Sequence, residues 1–247
     1  MENASTPEGQ AQTVKAWLNG RPDDLLNLAG MFAEGAVRVV HDDQKNAYYL
    51  TAPEIGSPSE PNNEAAKALI GRLNGLARAH RRNYRPVSIT HRYTSSTGTY
   101  VVVPTARIEV IGVAPTVGVP GPSQPSPFPK RAALAAVNAD VDEAIGIMGR
   151  GEPLGWADLY KVYEIVSHAV RPDSITKLEW TDNHTAAAFR ASANRADVSG
   201  EAARHARNTG PRPTRTMSLD AGRAFIGHLV TQWMDHLIQQ EDLPTAG

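Results

Sequence analysis

The chain has 247 residues, contains no cysteine and carries a formal net charge of -1. This length is sufficient for two domains of ordinary size. The absence of cysteine excludes disulfides, thiolate metal sites and cysteine nucleophiles, and the near-zero charge excludes a global attraction to nucleic acid or anionic membranes. No apolar run approaches the roughly 18 residues of a membrane span, so we expect a cytoplasmic protein with no membrane partner.

The N-terminal part predicts strands in hairpins around one helix. Runs rich in β-formers occupy 37–40 and 47–51 on either side of a polar turn, and further runs occupy 87–93, 99–103 and 107–113. Between them, apolar residues from Ala66 to Ala77 recur at intervals of three and four, which predicts a helix with Asn63 as its N-cap. Residues 1–112 are therefore predicted to form a small α+β domain, with a mainly antiparallel sheet and one packed helix.

Prolines recur every few residues between 113 and 130. Neither a helix nor a central strand can be sustained through such a segment. We interpret it as a proline-rich linker, because proline favours an extended and semi-rigid chain. The linker separates the α+β domain from residues 131–247, for which we predict a helical domain.

Helical patterns dominate this second domain. Residues 131–149 predict one helix or two short ones, and 156–170 predict a largely buried helix that is apolar over most of its circumference. Thr176 and Glu179 have the spacing of a capping box. In the last helix Ser218 is the predicted N-cap, and apolar residues from Leu219 to Leu237 line one face. The helices are expected to pack as a bundle.

The best candidate site lies between 190 and 223, where seven arginines and three acids give a local charge of +4. Prolines and a glycine between 204 and 215 forbid a continuous helix, so a loop is expected there. The predicted ligand-binding residues of this arginine-rich loop are Arg204, Arg207, Arg212 and Arg215. A guanidinium group can hold a phosphate with two parallel hydrogen bonds, which favours nucleic acid or a phosphorylated molecule as the ligand.

Arg204, His205 and Glu164 are the candidate catalytic residues. An imidazole can move a proton near neutral pH while a neighbouring guanidinium steadies phosphate charge. Glu164 belongs to the polar stripe of an otherwise apolar helix, together with Lys161 and His168. Two interpretations stay open: the stripe is a solvated edge, or Glu164 faces inward and orients Arg204 or His205. Equally, the loop arginines can pair with carboxylates and serve structure alone.

A second basic cluster follows the predicted helix of the first domain. Its candidate ligand-binding residues are Arg78, Arg81, Arg82 and Arg85, with Tyr84 among them. Cations are favoured at a helix C-terminus by the helix dipole, and a nucleic-acid patch with one stacking aromatic is the functional alternative. Signatures of phosphate-binding loops, serine hydrolases and metalloproteases are absent from the sequence, and we predict no metal and no cofactor.

Four segments between 156 and 234 carry a family resemblance: WADLYKVYEIV, FRASAN, SGEAARHAR and MSLDAGRAFIGHLVTQWM. Together they resemble the C-terminal part of a family of bacterial proteins with no established activity, in which the stretch holding Arg204 and His205 recurs. The helical half also resembles, more loosely, HEPN-type ribonucleases, whose motif places a histidine four to six residues after an arginine. Two pairs have this spacing, Arg85 with His91 and Arg223 with His228, and about two such pairs are expected by chance in this composition.

Three functions are compatible with the sequence. The first is a non-catalytic module that binds an anionic ligand through the arginine-rich loop. The second is a metal-independent HEPN-like ribonuclease, in which His205 is the acid or base and Arg204 steadies the phosphate charge. The third is a structural or assembly subunit whose basic loop only supports the fold. A homo-oligomer or a protein partner stays open in each case.

Overall fold

The computed structural model describes residues 14–56, 62–95, 98–101, 126–205 and 213–242. The chain divides into two compact units, the first containing residues 1–70 and 88–123 and the second containing 71–87 and 124–247. An antiparallel sheet with helices, followed by a helical C-terminal region, confirms the predicted α+β class. Residues 71–87, which the sequence patterns assign to the first domain, belong to the second unit.

The sheet of the first unit has five described strands in the order β2-β3-β1-β4-β5, and all neighbouring strands are antiparallel. The strands are β1 (Lys15–Asn19), β2 (Arg38–Asp42), β3 (Ala47–Thr51), β4 (Ser88–Ser95) and β5 (Gly98–Val101). The predicted hairpin is confirmed as β2 and β3, with Asn46 of the connecting turn at a φ of 45°. The expected strand at 107–113 lies outside the described residues, and β1 has no counterpart among the sequence predictions.

One face of this sheet forms the core of the first unit. Ala16, Leu50 and Tyr93 on this face are fully buried. The Tyr93 hydroxyl donates a hydrogen bond to Asn63 Oδ1 at 3.1 Å, which ties β4 to helix α2 (Asn62–His80). Because α2 already begins at Asn62, Asn63 lies inside its first turn and the predicted N-cap assignment is wrong. Helix α1 (Pro22–Met31) adds Leu28, which is also fully buried.

The described part of the second unit is helical. Besides the C-terminal half of α2, it contains α3 (Phe128–Val137), α4 (Ala139–Met148), α5 (Trp156–Ala169), α6 (Asn183–Asn194), α7 (Ala196–Ser199) and α8 (Leu219–Asp242). Asn138 separates α3 from α4 and caps α4, since its side chain accepts from Val141 N at 3.1 Å. Helix α3 begins at Phe128, within the predicted linker, because a proline in the first turn removes no helical hydrogen bond.

The start of α6 differs from the sequence prediction. Residues 174–180 form turns in which Glu179 has a φ of 59°, so the capping box predicted at Thr176 and Glu179 is wrong. Helix α6 begins instead after Asp182, whose carboxylate accepts hydrogen bonds from the backbone N–H of His184 and from the N–H and hydroxyl of Thr185. At α8 the predicted cap is confirmed, because Ser218 Oγ accepts from Ala221 N at 3.2 Å.

The core of the second unit centres on α5, as its apolar circumference predicts. Leu159, Val162 and Val166 are fully buried. Helix α4 lies so close to α2 that a Cβ on Gly75 would be 2.1 Å from the carbonyl oxygen of Ile145, so this crossing requires glycine. Among the helices of the described segments, none is both long and apolar enough to cross a membrane.

Candidate functional site

Arginines from α2, from the turn that follows it and from α8 line a cleft of about 300 Å³ within the second unit. The lining residues of this α2–α8 cleft are Arg78, Ala79, His80, Arg82, Arg223, Ala224, His228 and Thr231. The two helices approach closely at its floor, since a Cβ on Gly227 would lie 2.6 Å from the carbonyl oxygen of Ala79. The structure therefore joins two arginines of the predicted basic cluster to a third from a distant part of the chain.

Backbone carbonyl groups hold Arg78 in this cleft. Its Nη1 donates hydrogen bonds to the carbonyl oxygens of Met148 at 2.9 Å and Arg150 at 2.8 Å, with Glu152 at 3.5 Å. Met148 ends α4, so the guanidinium satisfies carbonyls that have no partner within that helix. Carbonyl oxygens orient the group without cancelling its formal charge.

Arg223 is anchored in a similar way on α8. Its Nε and Nη2 donate to the carbonyl oxygen of Leu154 at 3.0 and 2.8 Å, and its Nη1 donates to Asp220 Oδ1 at 3.0 Å. Arg82 approaches the same carboxylate, with Nη2 3.5 Å from Asp220 Oδ2. Two guanidinium groups, those of Arg82 and Arg223, thus share one carboxylate, while Arg78 adds a third positive charge that is held by carbonyl oxygens.

Two groups on the wall of the cleft have lowered pKa values. The pKa of Arg78 is lowered by burial first and by repulsion from Arg223 second. The pKa of His80 is likewise lowered, by burial and then by the positive charges of Arg131 and Arg81. In both cases the lowered pKa means that the positively charged form is disfavoured. An anion bound in the cleft would favour the charged forms and raise both pKa values.

A buried asparagine shapes the basic segment that follows α2. Asn74, 3% exposed, donates from Nδ2 to the carbonyl oxygen of Val87 at 2.8 Å, and its Oδ1 accepts from Val87 N at 3.0 Å and the Tyr84 hydroxyl at 2.7 Å. Tyr84 is consequently 4% exposed, so it cannot be the stacking aromatic of a surface patch. Arg81 and Arg85 are exposed but are not among the residues that line the cleft.

The described part of the arginine-rich loop shows what Arg204 contacts. Arg204 Nη1 lies 3.3 Å from Glu164 Oε1, and the guanidinium carbon lies 4.5 Å from the ring centre of Tyr160. Glu164 and His205 are exposed, so Glu164 belongs to the solvated stripe and still pairs with Arg204. Arg215 is also exposed. Arg207 and Arg212 lie outside the described residues.

Adjacent residues of α6 hold both described ends of this loop. The N–H of Arg204 donates to the carbonyl oxygen of Ala193 at 2.8 Å. On the far side, the N–H of Met217 donates to the hydroxyl of Ser192 at 2.7 Å, and Ser192 is fully buried. The C-terminal part of α6 therefore holds the loop at both of its described ends.

Replacing Arg204 by alanine should change the free energy of unfolding by less than about 1 kcal/mol, because its ion pair is exposed and screened by solvent. Chemical denaturation of the variant beside wild type measures this. The backbone bond to Ala193 remains in the variant, so the loop keeps its anchor. A loss above about 2 kcal/mol would instead make the arginine a structural element of the fold.

Sequence patterns do not assign Arg223 and His228 to a site, although the pair has the spacing of the HEPN-type motif. Five residues separate them on α8, and both side chains line the same cleft. The signal present in the sequence is the position of Arg223 near the N-terminus of a helix that also carries His228. What the sequence lacks is the partner surface, which comes from α2.

No family model, curated protein or solved structure matches this chain. Within the segments that the structure describes, no cluster of three or more histidine, aspartate or glutamate side chains has the arrangement of a metal site.

Proposed function

We propose that this chain binds a phosphate-bearing ligand in the α2–α8 cleft. The observation that carries the proposal is the set of Arg78, Arg82 and Arg223 around one concave surface, with Asp220 paired to Arg82 and Arg223. Guanidinium groups donate paired hydrogen bonds to phosphate oxygens, and such charge-assisted bonds are stronger than neutral ones. A cleft of about 300 Å³ has room for a phosphate group and part of the molecule that carries it.

Preorganisation supports this choice over the arginine-rich loop. Carbonyl oxygens fix Arg78 and Arg223 before any ligand arrives, so less side-chain entropy is lost on binding. Arg204, in contrast, already pairs with Glu164 and covers Tyr160. A ligand at Arg204 would compete with both contacts for one guanidinium group, whereas the carboxylate of Asp220 is divided between Arg82 and Arg223. Binding by the remaining loop arginines stays a prediction.

A pair of variants tests the proposed site with inorganic pyrophosphate as the probe. Arg82 and Arg85 lie three residues apart and are both exposed, but only Arg82 lines the cleft. We expect Arg82→Ala to weaken pyrophosphate binding about tenfold or more in isothermal titration calorimetry, because one charge-assisted contact is lost. Arg85→Ala is the matched control and should leave the dissociation constant within about twofold of wild type.

Equal weakening by both variants would mean that pyrophosphate senses only the overall charge, and the proposed site would then be wrong. No measurable binding to wild type at low salt would also reject it and favour the structural or assembly role. If heparin retention falls in an Arg204→Ala/Arg207→Ala variant while Arg82→Ala behaves as wild type, the arginine-rich loop is the binding site instead.

Binding of sulfate should tighten as the pH falls from 7.5 to 5.5. Sulfate keeps its charge over this range, so the change reports on the protein. A bound dianion favours the protonated form of His80, whose pKa in the free protein is lowered by burial and by Arg131 and Arg81. His80 therefore has a higher pKa in the sulfate complex than in the free protein. The affinity for sulfate rises as the pH falls below the pKa of His80 in the complex, and it becomes constant once the pH is below the pKa of His80 in the free protein.

Calorimetric titrations of wild type and His80→Ala at several pH values check this expectation. The pH dependence should shrink in His80→Ala, while a residual dependence that disappears only in His80→Ala/His228→Ala would assign it to the second histidine of the cleft. A pH dependence that is unchanged in the double variant would place the titrating group elsewhere.

Metal-independent RNA cleavage is the second candidate function, and one observation favours it. Arg223 and His228, the pair with the spacing of the HEPN-type motif, lie on the wall of the cleft that also contains His80. In such a reaction one imidazole would accept the proton of the 2′-hydroxyl as it attacks phosphorus, and another would protonate the leaving 5′ oxygen. Cleavage of labelled RNA by wild type in the presence of EDTA, and the loss of this cleavage in His228→Ala, would support this candidate. If cleavage is lost in His205→Ala and retained in His228→Ala, the catalytic residue lies in the arginine-rich loop instead.

A further inference from the structure

The two faces of the sheet in the first unit have very different chemistry. The inner face is the apolar core described above, and the strand registers place alternate residues on the opposite, outer face. Arg38, Thr90, Arg92 and Thr99 of this outer face are exposed. Trp17 and Tyr49 are cross-strand partners on the same face, with ring centres 5.5 Å apart. The outer face is thus aromatic, cationic and hydroxyl-rich.

Cationic side chains lie over both aromatic rings of this face. Lys45 Nζ is 4.6 Å and the Arg92 guanidinium carbon is 5.4 Å from the ring centre of Trp17, while Lys15 Nζ is 4.5 Å from that of Tyr49. Trp17 itself is buried, with only 3% of its surface exposed. A hydrogen bond from Trp17 Nε1 to Thr94 Oγ1 at 2.9 Å fixes the orientation of the ring.

Negative charge on the outer face is scarce. Among the described strand residues of this face, Asp42 is the only acid, and it lies 3.4 Å from Lys15. Asp43, in the turn between β2 and β3, interacts with His41, which the strand register places on the inner face of the sheet. The cations at 38, 45 and 92 therefore exceed the carboxylates on this surface, which makes it complementary to a polyanion.

We propose that the outer face of the sheet binds single-stranded nucleic acid, with a base stacked on Tyr49, which packs against the buried Trp17, and phosphates paired with Lys15, Lys45 and Arg92. A cation above an exposed ring contributes about two- to fivefold to an equilibrium constant, whereas a stacked base contributes about 5- to 150-fold. A base therefore displaces the cation from the ring, and the displaced ammonium or guanidinium group pairs with a neighbouring phosphate. Duplex DNA offers phosphates without accessible base faces, so it should bind more weakly.

Fluorescence anisotropy with a labelled single strand of about twelve thymidylates tests the proposal. We expect Tyr49→Leu to weaken binding about tenfold or more and Tyr49→Phe to stay within about twofold, because phenylalanine retains the ring. Lys45→Gln/Arg92→Gln should lower the slope of log affinity against log salt by about 1.4, the value for two phosphate contacts on a single strand. The matched control is Arg171→Gln/Lys177→Gln, two exposed cations of the second unit, which should leave the slope unchanged.

Quenching of Trp17 fluorescence gives a readout that does not depend on the stability of the Tyr49 variants. The thymidylate strand should quench wild type, and the quenching should be absent in Trp17→Phe, which retains the other three tryptophans. Tighter binding of duplex than of single strand would overturn the proposal, as would capture of poly-glutamate with equal affinity, since that result indicates an acidic protein partner. Binding lost in Arg82→Ala but retained in Lys45→Gln/Arg92→Gln would assign the nucleic acid to the α2–α8 cleft, and the sheet proposal would fail while the proposed function stood.

Discussion

Asn74→Ala should lower the free energy of unfolding of the second unit by about 3 kcal/mol. The substitution removes three hydrogen bonds at once: it leaves the N–H and carbonyl of Val87 without their partner and takes one hydrogen bond from the hydroxyl of Tyr84. Each buried polar group left unpaired costs about 1–3 kcal/mol, and Val87 and Tyr84 are 3% and 4% exposed. Urea denaturation followed by circular dichroism measures the loss.

Two controls separate the asparagine network from general effects of the substitution. Tyr84→Phe removes only one of the three bonds and should cost about 1 kcal/mol. Asn183→Ala changes an exposed asparagine in the first turn of α6 and should stay within about 0.5 kcal/mol of wild type. A cost below about 1 kcal/mol for Asn74→Ala would mean that the network does not stabilise the fold.

The same network connects the core to the proposed binding site. Arg82 lies in the segment between the end of α2 and Val87. Asn74 holds the far end of this segment through its two hydrogen bonds to Val87. Loosening the anchor increases the freedom of Arg82 before binding, and ordering it then costs more. We therefore expect pyrophosphate affinity to fall in Asn74→Ala under conditions where the variant is folded, although Asn74 does not line the cleft.

Local patterns in the sequence predict most helices and the hairpin, because each depends on residues close together in the chain. The apolar repeat of α2, the cap at Ser218 and the runs that form β2 and β3 are of this kind. Strand β1 (KAWLN) escapes prediction because Trp17 is its single β-branched or aromatic residue, whereas β2 and β3 each carry two or more. The capping box at Thr176 fails because spacing alone does not distinguish a helix start from a turn, and Asp182 makes the bonds that define one.

The candidate site is less predictable, because it is assembled from segments far apart in the sequence. Arg78 and Arg82 attract attention as part of a basic cluster, but nothing near them in the chain indicates that Arg223 faces the same cleft. The close approach of Gly227 to Ala79 creates that juxtaposition, and a glycine within a helix does not by itself indicate which surface packs against it. Charge density identifies the arginine-rich loop equally well, yet it cannot reveal that Arg204 already has Glu164 as a partner.

Asp235→Leu should destabilise the second unit by about 3 kcal/mol or more, whereas Arg131→Met should cost less than about 1.5 kcal/mol. Arg131 donates to both carboxylate oxygens of Asp235 at 2.8 to 3.0 Å, and the Arg131 side chain is 7% exposed against 39% for Asp235. Removing the carboxylate leaves a buried charge without its partner, which is the costly case. Removing the arginine leaves a carboxylate that water can still reach.

The double variant Arg131→Met/Asp235→Leu provides the decisive comparison, because it removes both charges. It should be more stable than Asp235→Leu alone, and equal costs for the two single variants would contradict the asymmetric burial argument. Arg131 also repels a proton from His80, so Arg131→Met should raise the pKa of that imidazole. The pH dependence of sulfate binding then moves to higher pH in Arg131→Met. Together with the burial of His80, Arg131 would thereby lower the pH range over which the proposed cleft gains affinity for its anion.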